Sequence, residues 1–459
     1  MIETKESPIG RIPANWPIKK LKELTTKIGS GATPRGGQAA YLPHRLNFAL
    51  VRSQCVHDRY FDQASLSFIS NEQAKALKGV QVREGDVFLN ITGDGVTFSR
   101  CALVPKEALP AAVNQHVAIV RADPDQLHPS FLVSYLTHPL IKPYIEGFNA
   151  GGSRRAITKA HIESFEVPLP PIETQRWIGE FLQDFDDKIE LNRRMNETLE
   201  EIARALFRDW FVDFGPTRRQ IEGATDPAAI MGQAFPPEKA TTLAPLFPAK
   251  LGDDGLPEGW ASGSASDHID FNPKEPLKKG TVSPYSDMAS LPTSGTLISP
   301  PKLRDFKSGM RFRNGDALIA RITPCLENGK AGFVDYLTDE APVGWGSTEF
   351  FVLRSKPHVA PQFAYCLVRD PDFKKRAEQS MTGTSGRQRA QVDVLMSYEL
   401  AFPDDTVHAE FAAITTPFFA KIKANGEENQ TLADMRDLLL PRLMSGEIRL
   451  KDAEVMADE

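Results

Sequence analysis

Two short stretches combine glycine with arginine in a way suited to gripping a polyanion: "NAGGSRRAITKAH" (149–161) and "MTGTSGRQRAQVD" (381–393). Glycine lets a backbone come close to phosphates, and arginine adds charge and a planar fork that fits a guanine edge. Ser153, Arg154, Arg155 and Lys159 are the DNA-binding candidates of the first loop, and Ser385, Arg387 and Arg389 those of the second. Arg35, in "TPRGG", is a further candidate for the DNA backbone. A solvated basic loop is the competing reading. Catalytic chemistry is poorly supplied. Cys55, His57 and Asp58 crowd together in "QCVHD", but residues so close on an irregular segment read as a satisfied turn. His116, beside Gln115 in a strand pattern, reads as structural. There is no G-x-x-x-x-G-K-[ST] loop for a nucleoside triphosphate, and "FNPKEP" (271–276) fails the Asn-Pro-Pro-aromatic pattern at its second proline. Neither a catalytic set nor a metal set emerges.

The elements that must position the two loops recur in the same order. "IPANW" (12–16) and "LPEGW" (256–260) open each half. A Gly-Asp turn then leads into an apolar strand, "REGDVFLNIT" (83–92) against "RNGDALIARIT" (313–323). Further strands follow, "NQHVAIVR" (114–121) and "STEFFVLR" (347–354), then a short helix, then the Gly/Arg loop. Each half closes on a short apolar phrase, "EVPLPPIETQ" or "ELAFPDDTVH", and a long helical pattern.

In the first helix the apolar seam runs Ile178, Leu182, Phe185, Ile189, Asn192, Asn196, Leu199, Ala203, Leu206, Trp210, with steps alternating four and three. That is coiled-coil spacing. The second seam holds Phe411, Ile422, Asn425, Asn429, Leu432 and Leu439, with asparagines at matching places. If the helices pair antiparallel, Asn192 and Asn196 lie near Asn429 and Asn425 and fix the register. Two unconnected surface helices remain the alternative. Pro417 falls early in the second seam and marks a later first turn there.

Length and charge fit this layout. A chain of 459 residues, 25% charged and 41% hydrophobic, implies several globular units. Residues 1–170 carry a net +5, 171–247 a net −5, 248–403 zero and 404–459 a net −6. A polyanion would therefore meet the globular blocks. No apolar run is long enough to span a bilayer, no leader-like stretch opens the chain, and four scattered cysteines fit a reducing cytoplasm.

The phrases "FEVPLPPIETQ", "ALFRDWFVDF" (205–214), "ARITPCLENGKAGF" (320–333) with "GSTEF", and "GDVFLNITGDG" with "NQHVAIV" resemble the specificity subunits of type I restriction-modification systems. The resemblance implies an α+β fold: two similar target recognition domains joined by two long helices that pair as an antiparallel coiled coil, with a pseudo-two-fold internal repeat. The expected boundaries are 1–168 for the first recognition domain, 169–214 for the first helical region, 215–255 for an extended linker, 256–403 for the second domain and 404–459 for the second helical region. The implied partners are double-stranded DNA with a bipartite site, two methyltransferase (modification) subunits, and restriction/translocase subunits that can join them. S-adenosylmethionine, ATP and Mg would then belong to the partners, with no cofactor in this chain. A two-headed protein-interaction scaffold that does not bind DNA is the rival reading, and an enzyme with its site between the heads is another.

Overall fold

The computed structural model describes residues 3–149, 152, 154–384 and 386–448, without the side chains of residues 37 and 38. The chain divides into two compact units, one of residues 1–191 with 428–459 and the other of residues 192–427.

In the first unit the strands Cys101–Leu103, Asp86–Asn90, Val117–Ala122 and Thr25–Ser30 lie in that order, all antiparallel. Every residue of "DVFLN" is buried, because both faces of the sheet are covered. Val87 and Leu89 pack with the helix Pro129–Leu136, whereas Phe88 and Ile119 pack against a smaller sheet holding Ala49, Val51 and Ala111. The second unit repeats the plan. Its sheet runs Ile269–Phe271, Phe350–Ser355, Ala317–Ala320, Ala331–Phe333, with the helix Pro361–Arg369 on one face and a four-stranded sheet on the other.

One buried ionic lock recurs in both units. Asp86 takes two hydrogen bonds from Arg121, at 2.6 and 2.8 Å, and a third from the Arg83 amide. Asp316 takes the same set from Arg354, at 2.6 and 2.7 Å, and from the Arg313 amide. The aspartate of each Gly-Asp turn thus ties the start of its strand to the end of the neighbouring one.

Each long helix has 40 residues, Ile172–Phe211 and Asp405–Met444, and each contributes one half to each unit. Gly179 lets the first helix press on the Pro129–Leu136 helix, since a Cβ there would stand 2.6 Å from the Phe131 amide nitrogen. Within the first unit, Lys188 meets Glu428 and Asp186 meets Arg436, so the helices run antiparallel. Within the second, Asn425 donates to Asn196 at 2.8 Å and Trp210 stacks edge-on to Phe411, again antiparallel.

Two expectations are corrected. The second helix starts at Asp405, with Asp404 Oδ1 capping the Thr406 amide, and passes through Pro417 without a break. Pro417 and Ala413 are both exposed, so the carbonyl deprived of its donor faces water. Nor is the 215–255 segment extended. It forms the helices Gly215–Ile221, Pro227–Ile230 and Pro237–Leu243, and Phe247 packs on Trp210 with ring centroids 5.1 Å apart. Pro216, Pro227 and Pro237 occupy the first turns of these helices, where the missing N–H costs nothing.

Candidate nucleic-acid interface

In the first unit, three segments converge at the end of the strand that begins with Val117. The Gly31 amide donates to the Asn114 carbonyl, and a Cβ at Gly31 would collide with the Val113 carbonyl, so the Arg35 loop starts flush against residues 113–114. The Ile91 amide bonds the His116 carbonyl, and Thr92–Gly93 pairs antiparallel with Arg155–Ala156. A directed chain of hydrogen bonds links these segments. The Thr33 hydroxyl donates to Gln115 Oε1, Gln115 Nε2 donates to His116 Nε2 (3.2 Å), and His116 Nδ1–H donates to Thr92 Oγ1 (2.5 Å). With the Gln115 amide oriented so that its Oε1 faces Thr33, its Nε2 must donate to the ring Nε2, which puts the ring proton on Nδ1. Partial burial, and then the positive charge of Arg154, hold His116 below its ordinary value of 6.5, which keeps the ring neutral at pH 7.

The second unit builds the same frame around different chemistry. The Arg321 amide bonds the Glu349 carbonyl as Ile91 bonds His116, and Ile322 bridges Arg389. The Glu349 amide is capped by Ser347 as that of His116 is by Asn114. Glu349 therefore stands where His116 stands. Its carboxylate accepts from Arg389 at 2.7 and 2.9 Å and from Arg321 at 3.1 Å. Chiefly through Arg389, those bonds hold Glu349 below the usual carboxylate range. The edge strand Ile269–Phe271 stops at Leu353, whereas its counterpart Thr25–Ser30 continues to Ala118. At Asn272 the backbone turns left-handed (φ 52°), and the strand ends there.

The sequence candidates fall into three groups. Arg35, Arg154 and Arg387 are exposed. Arg155, Lys159 and Arg389 are engaged within the chain: Arg155 with Glu146, Lys159 with Glu163 at 3.5 Å, and Arg389 with Glu349. Ser153 and Ser385 lie outside the described residues. Arg154 and Arg155 lie with the start of the Arg35 loop around the His116 network, and Arg387 lies within the turn that the Thr382–Arg389 bridge closes, with Arg389 at its end. Of the helix asparagines, Asn192 and Asn425 are buried, while Asn196 and Asn429 are partly exposed. Sequence reasoning passes over Thr33, Gln115, His116, Arg321 and Glu349 as site residues. The one signal that marks them is the alignment of "NQHVAIVR" with "STEFFVLR", which sets His116 opposite Glu349.

The "QCVHD" cluster is structural. Asp58 accepts from Lys142 and from the Cys101 amide, and burial pushes the Cys55 thiol up to about 11, far from a thiolate nucleophile at neutral pH.

Residues 47–201 match the sequence model of the type I restriction modification DNA specificity domain. Over nearly the full length of both chains, the protein is 23% identical to the MjaIX specificity subunit of Methanocaldococcus jannaschii (98% of this chain, 97% of that one). The chain is thus similar, along nearly its whole length, to type I restriction-modification specificity subunits. It is likewise 23% identical to the HindI specificity subunit of Haemophilus influenzae, covering 88% of this chain and 94% of that one. Its fold resembles the crystal structure of the type I system S subunit from M. genitalium, with TM-score 0.51, 14% identity and coverage of 94% and 96%. The two antiparallel-paired long helices and the two mixed units are thus the specificity-subunit fold.

Proposed function

We propose that this chain is the DNA sequence-recognition subunit of a type I complex, without catalytic activity of its own, each unit reading one half of a split site. The observation that carries the reading is the repeated cleft. The same strand ends and the same Gly/Arg loop are framed twice, with a neutral His116 network in one and an anionic Glu349 clasp in the other. Two readers on one frame with unlike donors and acceptors suit two unlike half-sites, because base edges differ in their donor and acceptor patterns. The exposed Arg154 and Arg387 then serve the phosphates or guanine edges. The long helices set the spacing between the halves and dock two methyltransferase subunits, which supply S-adenosylmethionine; restriction/translocase subunits with ATP and Mg join that core. The test is methylation mapping of cells carrying the chain with its partner methyltransferase. A split motif is expected, and exchanging residues 256–403 for those of a relative changes one half only. A continuous motif overturns the reading.

A further inference from the structure

The smaller sheet of the second unit presents a face unlike anything in the first. Its strands lie in the order Lys302–Asp305, Val282–Ser286, Gly344–Gly346, Met310–Phe312. Register places Lys302, Tyr285, Trp345 and Arg311 in a single row across all four. Directly paired residues share a face. The opposite face is the inner one: Cβ atoms at Gly344 and Gly346 would strike Phe312 and Phe350 of the core. On the outer face Tyr285 lies 4.4 Å from Trp345 between ring centroids, and Phe306 closes on Trp345 edge-on at 5.4 Å. Cations cover this aromatic layer. The Arg304 guanidinium sits 4.5 Å over Tyr285, and that of Arg311 lies 5.9 Å from the Phe306 ring centroid. Lys302 and Arg304 are exposed.

We infer that this basic-aromatic row is a second DNA-binding surface, one that holds the sugar-phosphate backbone of duplex DNA and reads no bases. It rests on the DNA-recognition reading and extends it to a face of the sheet formed by Lys302–Asp305, Val282–Ser286, Gly344–Gly346 and Met310–Phe312. Charge complementarity names the occupant. Residues 274–313 hold eight Lys/Arg and three Asp/Glu, and one of those acids, Glu275, is already taken by Arg354. A guanidinium lying flat on a ring keeps its in-plane N–H donors free for oxygen acceptors, and its stacking lowers the entropy lost on binding. Phosphates match such a row in charge and in acceptor type. The corresponding sheet of the first unit cannot act this way. Its parallel pair Phe48–Val51 and Ala111–Val113 turns Leu50 and Ala112 outward, under Ala74 of the helix Asn71–Ala76 and its C-cap Leu77. The surface therefore belongs to one half of the molecule alone, and the second unit grips DNA by more phosphates than the first.

The experiment compares the full chain with a Lys302→Ala/Arg304→Ala/Arg311→Ala variant. Binding to a labelled 30-base-pair duplex of random sequence is followed by fluorescence anisotropy across a salt series. The expected result is a log–log salt slope shallower by about two to three, roughly 0.9 for each phosphate no longer neutralised. Affinity at low salt should fall about tenfold or more, with the methylated motif unchanged. An unchanged slope and affinity overturn the inference, as does a variant that keeps DNA binding but no longer retains its protein partner. Should the triple variant lose its melting transition, Lys302→Glu alone decides on an exposed position, with a slope change of about one expected and none overturning the proposal. A wild-type chain that binds no duplex overturns the DNA-recognition reading itself, and this inference with it.

Discussion

The clefts of the two units differ at one decisive position. In the first, His116 is neutral and closes a chain of donors from Thr33 to Thr92; in the second, Glu349 is charged and draws in Arg321 and Arg389. What does not differ is the lock beneath, where Asp86 with Arg121 and Asp316 with Arg354 repeat bond for bond. The contrast separates two tasks. The lock is buried, so it answers to stability. The strand end away from it carries His116 and Glu349, partly exposed side chains that differ between the units.

The most forceful way to break the comparison is to remove one lock. Asp316→Ala leaves Arg354 with only Glu275, and Asp86→Ala leaves Arg121 without its carboxylate partner. Stranding a buried charge costs about 3–5 kcal/mol, the penalty expected for Asp86→Ala, and Asp316→Ala should cost less because Glu275 still pairs with Arg354. Each variant should expose its own unit first, seen as loss of amide exchange protection confined to that unit. Equal loss in both would show that the units do not carry independent locks.

Acid should separate the units next. Burial chiefly pushes His268 and His408 of the second unit down to about 4 and about 3, whereas the first unit has His138 at about 4. These rings are neutral in the folded state and take up protons in the unfolded one. Above pH 6.5 they exert no pull. Between 6.5 and about 4 the unfolded chain binds the extra protons, so stability falls with pH, by about 1.4 kcal/mol per unit for each histidine. His116 and His128 of the first unit are also held below 6.5, but less far, so two strongly displaced rings against one make the second unit the more acid-labile. A pH series of thermal melts followed by limited proteolysis checks it, and an unfolding order with the first unit leading would contradict it.

At the reading edge, Glu349→Gln should release two arginines that are now neutralised. Affinity for random duplex rises several-fold, the salt slope steepens by about one, and methylation relaxes in one half of the motif while the other stays fixed. Arg154→Ala and Arg387→Ala should each flatten the slope by about one. Arg155→Ala should do less, because its guanidinium is already held by Glu146. Equal effects from Arg154 and Arg155 would show that the Glu146 pair opens on DNA.

The repeat is legible in the sequence because apolar phrases and Gly-Asp turns are local signals. The lock is not, since its partners stand 35 and 38 residues apart and neither half of an ion pair announces the other. Arg389 reads as a free cation for the same reason: Glu349 lies 40 residues away. The prolines of 215–255 mislead in the opposite direction, breaking helices when counted but starting them when placed. His116 reads as a bland strand residue, because only the fold brings Gln115 and Thr92 to its two nitrogens.

The smallest expected effect concerns how the helices hold register, and here too the units differ. The first unit uses charge: buried Asp186 takes Arg59 from the recognition domain and Arg436 from the second helix, both at 2.6 Å. The second uses an amide, with Asn425 wholly buried and donating to Asn196. The Asn425 Oδ1 atom finds no partner of its own, a standing cost that Asn425→Leu would remove. Asn196 is partly exposed and its Nδ2 reaches the Ile422 carbonyl, so losing Asn425 leaves it within reach of water. The two terms oppose each other, and the net change should stay within about 1 kcal/mol, neutral or stabilising, with the Asn192→Leu/Asn425→Leu pair behaving alike. What should change is uniqueness, because leucine packs at neighbouring registers almost as well as at the native one. Cysteines placed on facing helix positions of the second unit would then cross-link at more than one offset, while those of the ion-locked first unit keep to one. A loss of several kcal/mol with a single cross-linking offset would mean that the amide pair is holding the fold together and not choosing its register.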